Sequence, residues 1–561
     1  MAAENGSVNE PIKVKIKLHE DFMIGVEAGT SLSNLAKQQQ DEFRSRIVAA
    51  RVDNDIRELT YEIKMDCSVA FIDQTDDDGL RIYRRSLRFL LIKAVHDLFC
   101  NRKVVINHSI SKGIYIEIKG DLPLTADDVA AIEKRMHELT GEAIPFERIV
   151  IPLEEAKERI KKSGRDDMYH VLEVRTKSYF TIYRCGDIED YFYGYMVPDT
   201  SYLDLFSLKF YAPGLIMLYP EKSNPGVLPE FKEQKKLFAI FNEYKNWGQI
   251  LGFENIGNIN DAIRTDNILQ LILVAEGLQE KKIVQIADNI VKEPGLKKFI
   301  LISGPSSSGK TTFAERLSVQ LRVNGIKPFN LSIDNFFLDR EKTPVDENGE
   351  FDYESVDAID VNLFNRTLEE LLAGRETEIP IYNFVQGKRE EHGRVVKLYS
   401  NQVVVIEGIH GLNRGLTASI PDEYKYRIYV SALTSMNIDD HNRVPTTDTR
   451  LIRRIVRDYN FRGSDALSTL RRWPSVRRGE ETYIFPYQES ADIMFNSALI
   501  YELGVLKIYA QPLLEQIPNI VPEYSEAKRL IEFLSYFLPV RSVELPLNSI
   551  IREFVGGSCL I

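Results

Sequence analysis

The chain has 561 residues, 71 Lys and Arg against 83 Asp and Glu, and 44% hydrophobic residues, a globular composition of roughly three or four domains rather than a disordered or fibrous one. A net charge of −12 argues against nucleic-acid binding over the whole surface, which needs a concentrated positive face, and leaves room only for a local basic patch. No run approaches the roughly 20 apolar residues that span a bilayer, Met1 to Pro11 lacks the basic start and apolar centre of a secretory signal, and the scattered Cys67, Cys100, Cys185 and Cys559 form no CxxC pair, so the expected compartment is cytoplasmic.

Alternation from Ile12 to Leu18 predicts a half-exposed strand, Thr30 to Ala36 a capped helix start, and Ala49 to Val52 and Cys67 to Phe71 further strands. Residues 12–75 therefore read as a small β-grasp-like module. From Arg84 to Phe99, apolar Leu87, Leu90, Leu91, Ala94, Val95 and Leu98 have the spacing of a core-facing helix. A strand over Gly113 to Ile118 and a helix opened by Thr125 and running to about Thr140 follow, and this α+β block, 81–219, closes before the turn-rich Glu221 to Gly226. Leu228 to Glu293 is helical in pattern, interrupted at Gly248, Gly252 and Gly257. Residues 220–296 are expected to be a helical connector. From Lys297 to the C-terminus, strand, glycine loop, helix and strand recur, as in an α/β domain with a mainly parallel sheet.

The apolar run Phe299 to Ser303 leads into Gly304-Pro305-Ser306-Ser307-Ser308-Gly309-Lys310-Thr311, which satisfies G-x-x-x-x-G-K-[ST], with a helix to Asn324 and a stop at Gly325. Small residues let successive backbone N–H groups converge on phosphate oxygens at the positive end of a helix. Lys310 adds charge at the β/γ oxygens, and Thr311 offers a hydroxyl to Mg²⁺. Two strand-end carboxylates could serve the metal or the acceptor: Glu407 after Gln402 to Ile406, and Asp334 after Pro328 to Ile333. Either could instead be a helix cap or a solvated loop residue. Between Arg450 and Arg478 stand nine arginines and only two acids, Asp458 and Asp465. Arg450, Arg453, Arg454 and Arg457 share a helical face. The run reads as a solvated basic face, an RNA contact, or a lid that stabilises the phosphoryl group in flight.

These segments, Gly304 to Thr312, Leu331 to Phe337, Phe351-Asp352, Ile379 to Phe384, Ile406 to Ile409 and Arg450 to Gly463, occur in the order of the uridine kinase and phosphoribulokinase family, which residues 297–501 resemble. The resemblance implies a P-loop kinase using ATP and Mg²⁺. Gly304, Ser306, Ser307, Ser308, Gly309, Lys310, Thr311, Thr312, Arg453 and Arg454 would bind ATP, and Thr311 and Glu407 would hold Mg²⁺. Asp334, Lys310, Arg457 and Arg462 would be catalytic, with Asp334 accepting the acceptor's proton. Asp352, Tyr382, Arg389, Arg450 and Arg471 would face the acceptor. Two positions depart from the pattern: Gly387 stands where uridine kinases carry a base-contacting histidine, and Arg471 where they carry a glutamine.

The N-terminal half is similar to the TGS and editing domains of threonyl-tRNA synthetases, carried by Arg84 to Leu91, Ile132 to Met136, Tyr183 to Gly186 and Asp190 to Pro198. The editing domain's two histidines, cysteine and histidine are replaced here by Arg85, Phe89, Phe192 and Met196, which cannot form a zinc or editing site. Tandem TGS and editing-like modules ahead of such a kinase also resemble a bacterial nucleoside and uridine kinase group. The expected function is transfer of the ATP γ-phosphate to a nucleoside hydroxyl. The alternatives are a sugar-phosphate kinase, with Arg471, Arg472, Arg477 and Arg478 as added cations, and an RNA-binding regulator with a nucleotide-sensing P-loop. Oligomeric state is left open, a homo-oligomer included.

Overall fold

The computed structural model describes residues 13–19, 22–293, 295–346, 349, 351–383 and 386–561. Met1 to Ile12, the side chains of Lys13 to Leu18, and Phe384 and Val385 of the motif segments lie outside what is described. The chain forms two compact units. The first contains Met1–Glu233 with two later insertions, Asn437–Arg443 and Glu515–Tyr536; the second contains Gln234–Met436, Val444–Leu514 and Phe537–Ile561.

In the first unit, Lys13–His19 pairs antiparallel with Phe22–Glu27 and parallel with Cys67–Ile72, which is followed in the sheet by Ala49–Val52 and Asp55–Glu58. The helix Leu32–Gln39 buries Leu32, Leu35 and Ala36 against Ala50, Val52 and Val69, giving the expected β-grasp module. The next module is built on the helix Asp77–Leu98, capped by Asp76, whose side chain accepts from Asp78 N at 2.8 Å. Leu87, Leu90, Leu91, Ala94 and Val95 enter the core as their spacing requires, whereas Leu98, in the last turn, is 41% exposed. The companion helix Ala126–Glu142 opens on a reciprocal Thr125/Asp128 capping box. Both helices serve one core with a four-stranded antiparallel sheet, ordered Ser207–Tyr211, Gly214–Leu218, Gly113–Lys119 and Lys103–Ile110.

The expected connector is not a separate element. Residues up to Glu233 belong to the first unit, and the helices Lys235–Leu251, Ile256–Arg264 and Ile268–Lys292 belong to the second. Gly252 ends the first of these with φ +75°, a left-handed cap that a side chain resists, whereas Gly248 lies inside that helix and Gly257 inside the next, which the Asn255/Asn258 capping box opens. The long third helix packs on the helix of the phosphate loop, where Arg316 reaches Glu280 at 2.7 Å. A 297–561 domain is likewise corrected, since Asn437–Arg443 and Glu515–Tyr536 fold into the first unit.

The second unit centres on a five-stranded sheet ordered Lys327–Ser332, Gln402–Glu407, Phe299–Ser303, Lys425–Ser431 and Ile493–Asn496, every pair parallel. Its central strand, Phe299–Ser303, is buried throughout, which is why it reads as an unbroken apolar run. The loop after it opens at the carboxyl end of the sheet, where open α/β sheets place their ligands. No helix among the described residues is long and apolar enough to cross a membrane.

Candidate functional site: a phosphate loop facing two strand-end carboxylates

The strand Phe299–Ser303 delivers the chain to Gly304, and the helix Lys310–Val323 starts directly after Gly309. A Cβ on Gly304 would lie 1.9 Å from the Val430 carbonyl oxygen, and Gly309 has φ +83° with Ile550 packed where its Cβ would be. The glycines are thus set by close backbone approach and by a left-handed turn. Ser307 shares the left-handed conformation at φ +57°, and the Ser307 and Ser308 hydroxyls are buried without a partner. Buried hydroxyls normally have partners, and phosphate oxygens would supply them. Lys310 Nζ is buried and donates to Gly304 O at 3.0 Å and Pro305 O at 3.1 Å. Burial pushes its ammonium below the ordinary lysine range, against the pull of Glu407, Glu553 and Asp334.

Glu407 ends the strand Gln402–Glu407 and accepts from Ser332 Oγ at 3.0 Å. Asp334 sits on the adjacent strand's exit, in the short turn Ile333–Phe336. Burial, and then the Asp334 charge, push the Glu407 carboxyl up to about 7. Burial likewise raises Asp334, opposed by Lys310, Arg462 and Arg457. Two mutually repelling carboxylates with the Thr311 hydroxyl at the head of the neighbouring helix make a hard oxygen donor set, which suits Mg²⁺.

The helix Thr446–Arg462 divides its arginines between two tasks. Arg450 and Arg453 are 1% and 0% exposed. Arg450 donates to Ser306 O at 3.0 Å and pairs with Glu480; Arg453 donates to Ser307 O at 3.4 Å and to Ser497 O at 2.9 Å and pairs with Glu502. The expectation that Arg450 meets the acceptor and Arg453 meets ATP is therefore corrected: both guanidiniums are committed to the loop's backbone and to buried acids, and they brace the loop. Arg454 reaches Ser306 Oγ at 2.7 Å and Asp458 at 3.2 Å. Arg457 pairs with Asp458 at 2.9 Å, and Arg462, at the helix end, is 57% exposed. Arg457 and Arg462 both act electrostatically on Asp334.

On the acceptor side, half-buried Asp352 accepts from Glu354 N at 3.1 Å. Tyr382 is buried with its ring 5.7 Å from Phe337, and its backbone N donates to Asn335 Oδ1 at 3.3 Å. Arg389, expected to touch substrate, instead donates to Phe337 O at 3.1 Å and Phe336 O at 3.3 Å and pairs with Asp360 at 3.1 Å. It fixes the turn that carries Asp334. Arg471 lies on the exposed side of the helix Ala466–Tyr483, near Asp465. Gly387 is a turn glycine with φ +69°, and the Arg340 guanidinium fills the space its Cβ would need.

Four acids were not singled out from the sequence. Glu480 accepts from Ser306 N at 3.1 Å, inside the loop, and Glu502 holds Arg453. Glu354 has one carboxylate oxygen buried without a partner and packs where a Cβ on Gly479 would be. Glu553, from the last short helix, Arg552–Val555, accepts from Thr312 N at 3.1 Å and Thr312 Oγ1 at 2.8 Å. It thus occupies the first turn of the phosphate-loop helix with a carboxylate, where a phosphate is also favoured. None of the four belongs to a local motif. Only Glu502, an acid in the apolar run Leu499 to Leu503, carried a signal in the sequence.

In the first unit three of the four positions that align with the editing domain's ligands lie in the core. The Phe89 ring lies 5.3 Å from Phe192 and 5.7 Å from Phe146, and Met196 Sδ accepts from Ser86 Oγ at 3.4 Å. Phe89, Phe192 and Met196 are fully buried.

Residues 299–501 match the family described as Phosphoribulokinase / Uridine kinase family. Threonine–tRNA ligases are similar elsewhere: that of Methylococcus capsulatus is 35% identical over 162 residues, covering 29% of this chain and 25% of the ligase. That of Legionella pneumophila strain Corby is 30% identical over 194 residues, covering 34% and 30%. The chain thus spans less than a third of the length of these relatives. Among solved structures, one described as a possible uridine kinase from Bacillus stearothermophilus aligns with 38% of this chain and 98% of its own, at 21% identity and a TM-score of 0.28. With its phosphate loop, its all-parallel sheet and its strand-end acids, the second unit has a P-loop α/β fold, and residues 299–501 within it are similar to the phosphoribulokinase / uridine kinase family.

Proposed function

We propose that the chain transfers the γ-phosphate of ATP, with Mg²⁺, to a hydroxyl of a ribosyl acceptor, a nucleoside before a sugar phosphate. The observation that carries this reading is the convergence of Lys310, Asp334 and Glu407 at the carboxyl ends of adjacent parallel strands. Bound Mg²⁺ would neutralise phosphate charge and orient the γ-phosphoryl group. Thr311 and Glu407 would hold it. Lys310 exchanges its two carbonyl contacts for phosphate oxygens. Asp334, raised by burial, accepts the proton of the attacking hydroxyl more readily than an ordinary aspartate would. Arg457 and Arg462, with Arg454 on Ser306 of the loop, stabilise the charge that spreads over the phosphoryl oxygens. Asp352 and Tyr382 line the acceptor's side.

The sugar-phosphate alternative loses support from Arg477 and Arg478: the first pairs with Glu480 and Glu481, the second with Asp346. The regulatory RNA-binding alternative rests on the similarity to threonine–tRNA ligases. A coupled ADP-release assay across uridine, cytidine, inosine, guanosine and ribulose 5-phosphate tests the reading. Turnover with ribonucleosides is the expected result, and turnover only with ribulose 5-phosphate, or with none of them, counts against it. Because the family's histidine and glutamine are replaced by Gly387 and exposed Arg471, the expected preference for uridine over cytidine is below about a hundredfold, the discrimination that roughly 2.7 kcal/mol of specific contacts would give.

A further inference from the structure

Over the packed phenylalanines of the first unit lies a cavity of about 340 Å³, and every residue lining it belongs to that unit. Ligand pockets begin at about this size. Its walls come from the strand Asp55–Glu58, the helix Asp77–Leu98, the strand pair Phe146–Pro152 and Tyr179–Cys185, the loop 191–195, and the inserted helix Tyr524–Leu534. Eight lining side chains are Arg or Lys and three are Asp or Glu, in a chain whose overall charge is −12.

Most of these cations are neutralised locally. Arg57 and Lys528 pair with Asp55, Arg81 and Arg529 with Glu526, and Arg175 and Lys177 with Glu532. Arg85 and Arg148 are not. Arg85 is 8% exposed, and its polar contact is a hydrogen bond of 2.6 Å to the Tyr195 carbonyl, with the Tyr193 ring 5.8 Å away. Arg148 is exposed at the rim, 5.8 Å from the Tyr195 ring and 3.5 Å from Thr181 Oγ1. The carboxyl that acts on both, Glu58, is held by the Tyr183 hydroxyl and is pushed up by burial. A buried guanidinium without a carboxylate is costly. Its place is nevertheless built: Gly194, at φ +103°, leaves the space in which the guanidinium lies, 2.6 Å from where a Cβ would be.

We propose that this cavity binds a small phosphate-bearing ligand of nucleotide size, with its phosphate on Arg85 and Arg148. Planar guanidiniums grip phosphate oxygens in pairs, and Tyr193 and Tyr195, whose rings lie 5.8 Å from them, add aromatic wall to the same cavity. The inference stands apart from the kinase reading, since none of these residues lies in the second unit.

Isothermal titration of the full chain with ADP tests it. Two ADP sites per chain are expected, one lost in Lys310→Met and the other weakened at least about tenfold in Arg85→Met, the effect of removing a charged hydrogen-bond donor. Arg148→Met, at the exposed rim, should weaken the same site without disturbing the fold, and Arg85→Lys should retain part of the affinity. Inorganic pyrophosphate in the Lys310→Met protein separates phosphate recognition from nucleotide recognition; binding by either supports the site, provided Arg85→Met weakens it. A single ADP site abolished by Lys310→Met, with no pyrophosphate binding left, would overturn the proposal. So would binding of a short RNA alone.

Discussion

The two units contain two places where a ligand set can be traced in the sequence, and they have been treated oppositely. Around the phosphate loop, Lys310, Asp334 and Glu407 stand together as buried charged groups under mutual electrostatic stress. In the first unit, positions that align with the editing domain's ligands hold Phe89, Phe192 and Met196, which are core. Substitutions at the first place should cost rate and spare stability, and substitutions at the second should do the reverse. On this reading a fold can serve packing without the chemistry of its relatives, while charges held under mutual stress mark the candidate site.

The largest effect expected is on turnover. Lys310→Ala should lower kcat by about 10²–10³-fold, as removal of one preorganised electrostatic contact does, with the circular dichroism spectrum unchanged; comparable turnover would break the comparison on the kinase side. On the other side, Phe89→Ala removes a fully buried ring and should destabilise the protein by about 3–5 kcal/mol in urea unfolding. The surviving folded fraction should keep normal ADP release. A rate loss in a fully stable Phe89 variant would mean that the first unit takes part in catalysis.

A smaller effect is expected at Glu553. Its carboxylate sits on Thr312 N and Oγ1, so a triphosphate reaching that turn meets a like charge. Glu553→Gln should tighten ATP binding by about five- to tenfold, read by titration. Unchanged or weaker binding would assign Glu553 to support of the loop. The smallest is a pH effect. Glu407 is pushed up to about 7, so below that pH its carboxyl carries a proton that Mg²⁺ must displace. Mg²⁺ should therefore bind more tightly as pH rises from 6 to 8. For stability the sign is opposite: a raised carboxyl stabilises the fold below its unfolded value and loses that contribution as pH rises through about 7. Glu407→Gln should flatten both dependences.

What the sequence made legible follows its periodicity and its motifs. The phosphate loop, its strand and its helix fall where predicted because the glycines are demanded by local geometry. Asp334 and Glu407 were readable because both end buried strands. The arginine helix was readable as a helix but not in its roles. Whether Arg450 faces solvent or a buried Glu480 depends on a helix some thirty residues on, and Glu553 comes from the far C-terminus. The two insertions into the first unit, Asn437–Arg443 and Glu515–Tyr536, left no mark in periodicity, since a chain crossing between units keeps ordinary loop and helix patterns. The same holds for Arg389, whose partners are backbone carbonyls of a distant turn.

The central claim is that the second unit moves a phosphoryl group with Asp334 as proton acceptor. Transfer of labelled γ-phosphate from ATP to a ribonucleoside, followed for the native chain and for Asp334→Asn at saturating ATP and Mg²⁺, tests it most directly. The account predicts a labelled nucleoside phosphate from the native chain and a fall in kcat of about 10²–10⁴-fold in the variant, the range for losing a general base, with ADP affinity unchanged. Equal rates from the two proteins, or label appearing only as inorganic phosphate, would contradict it.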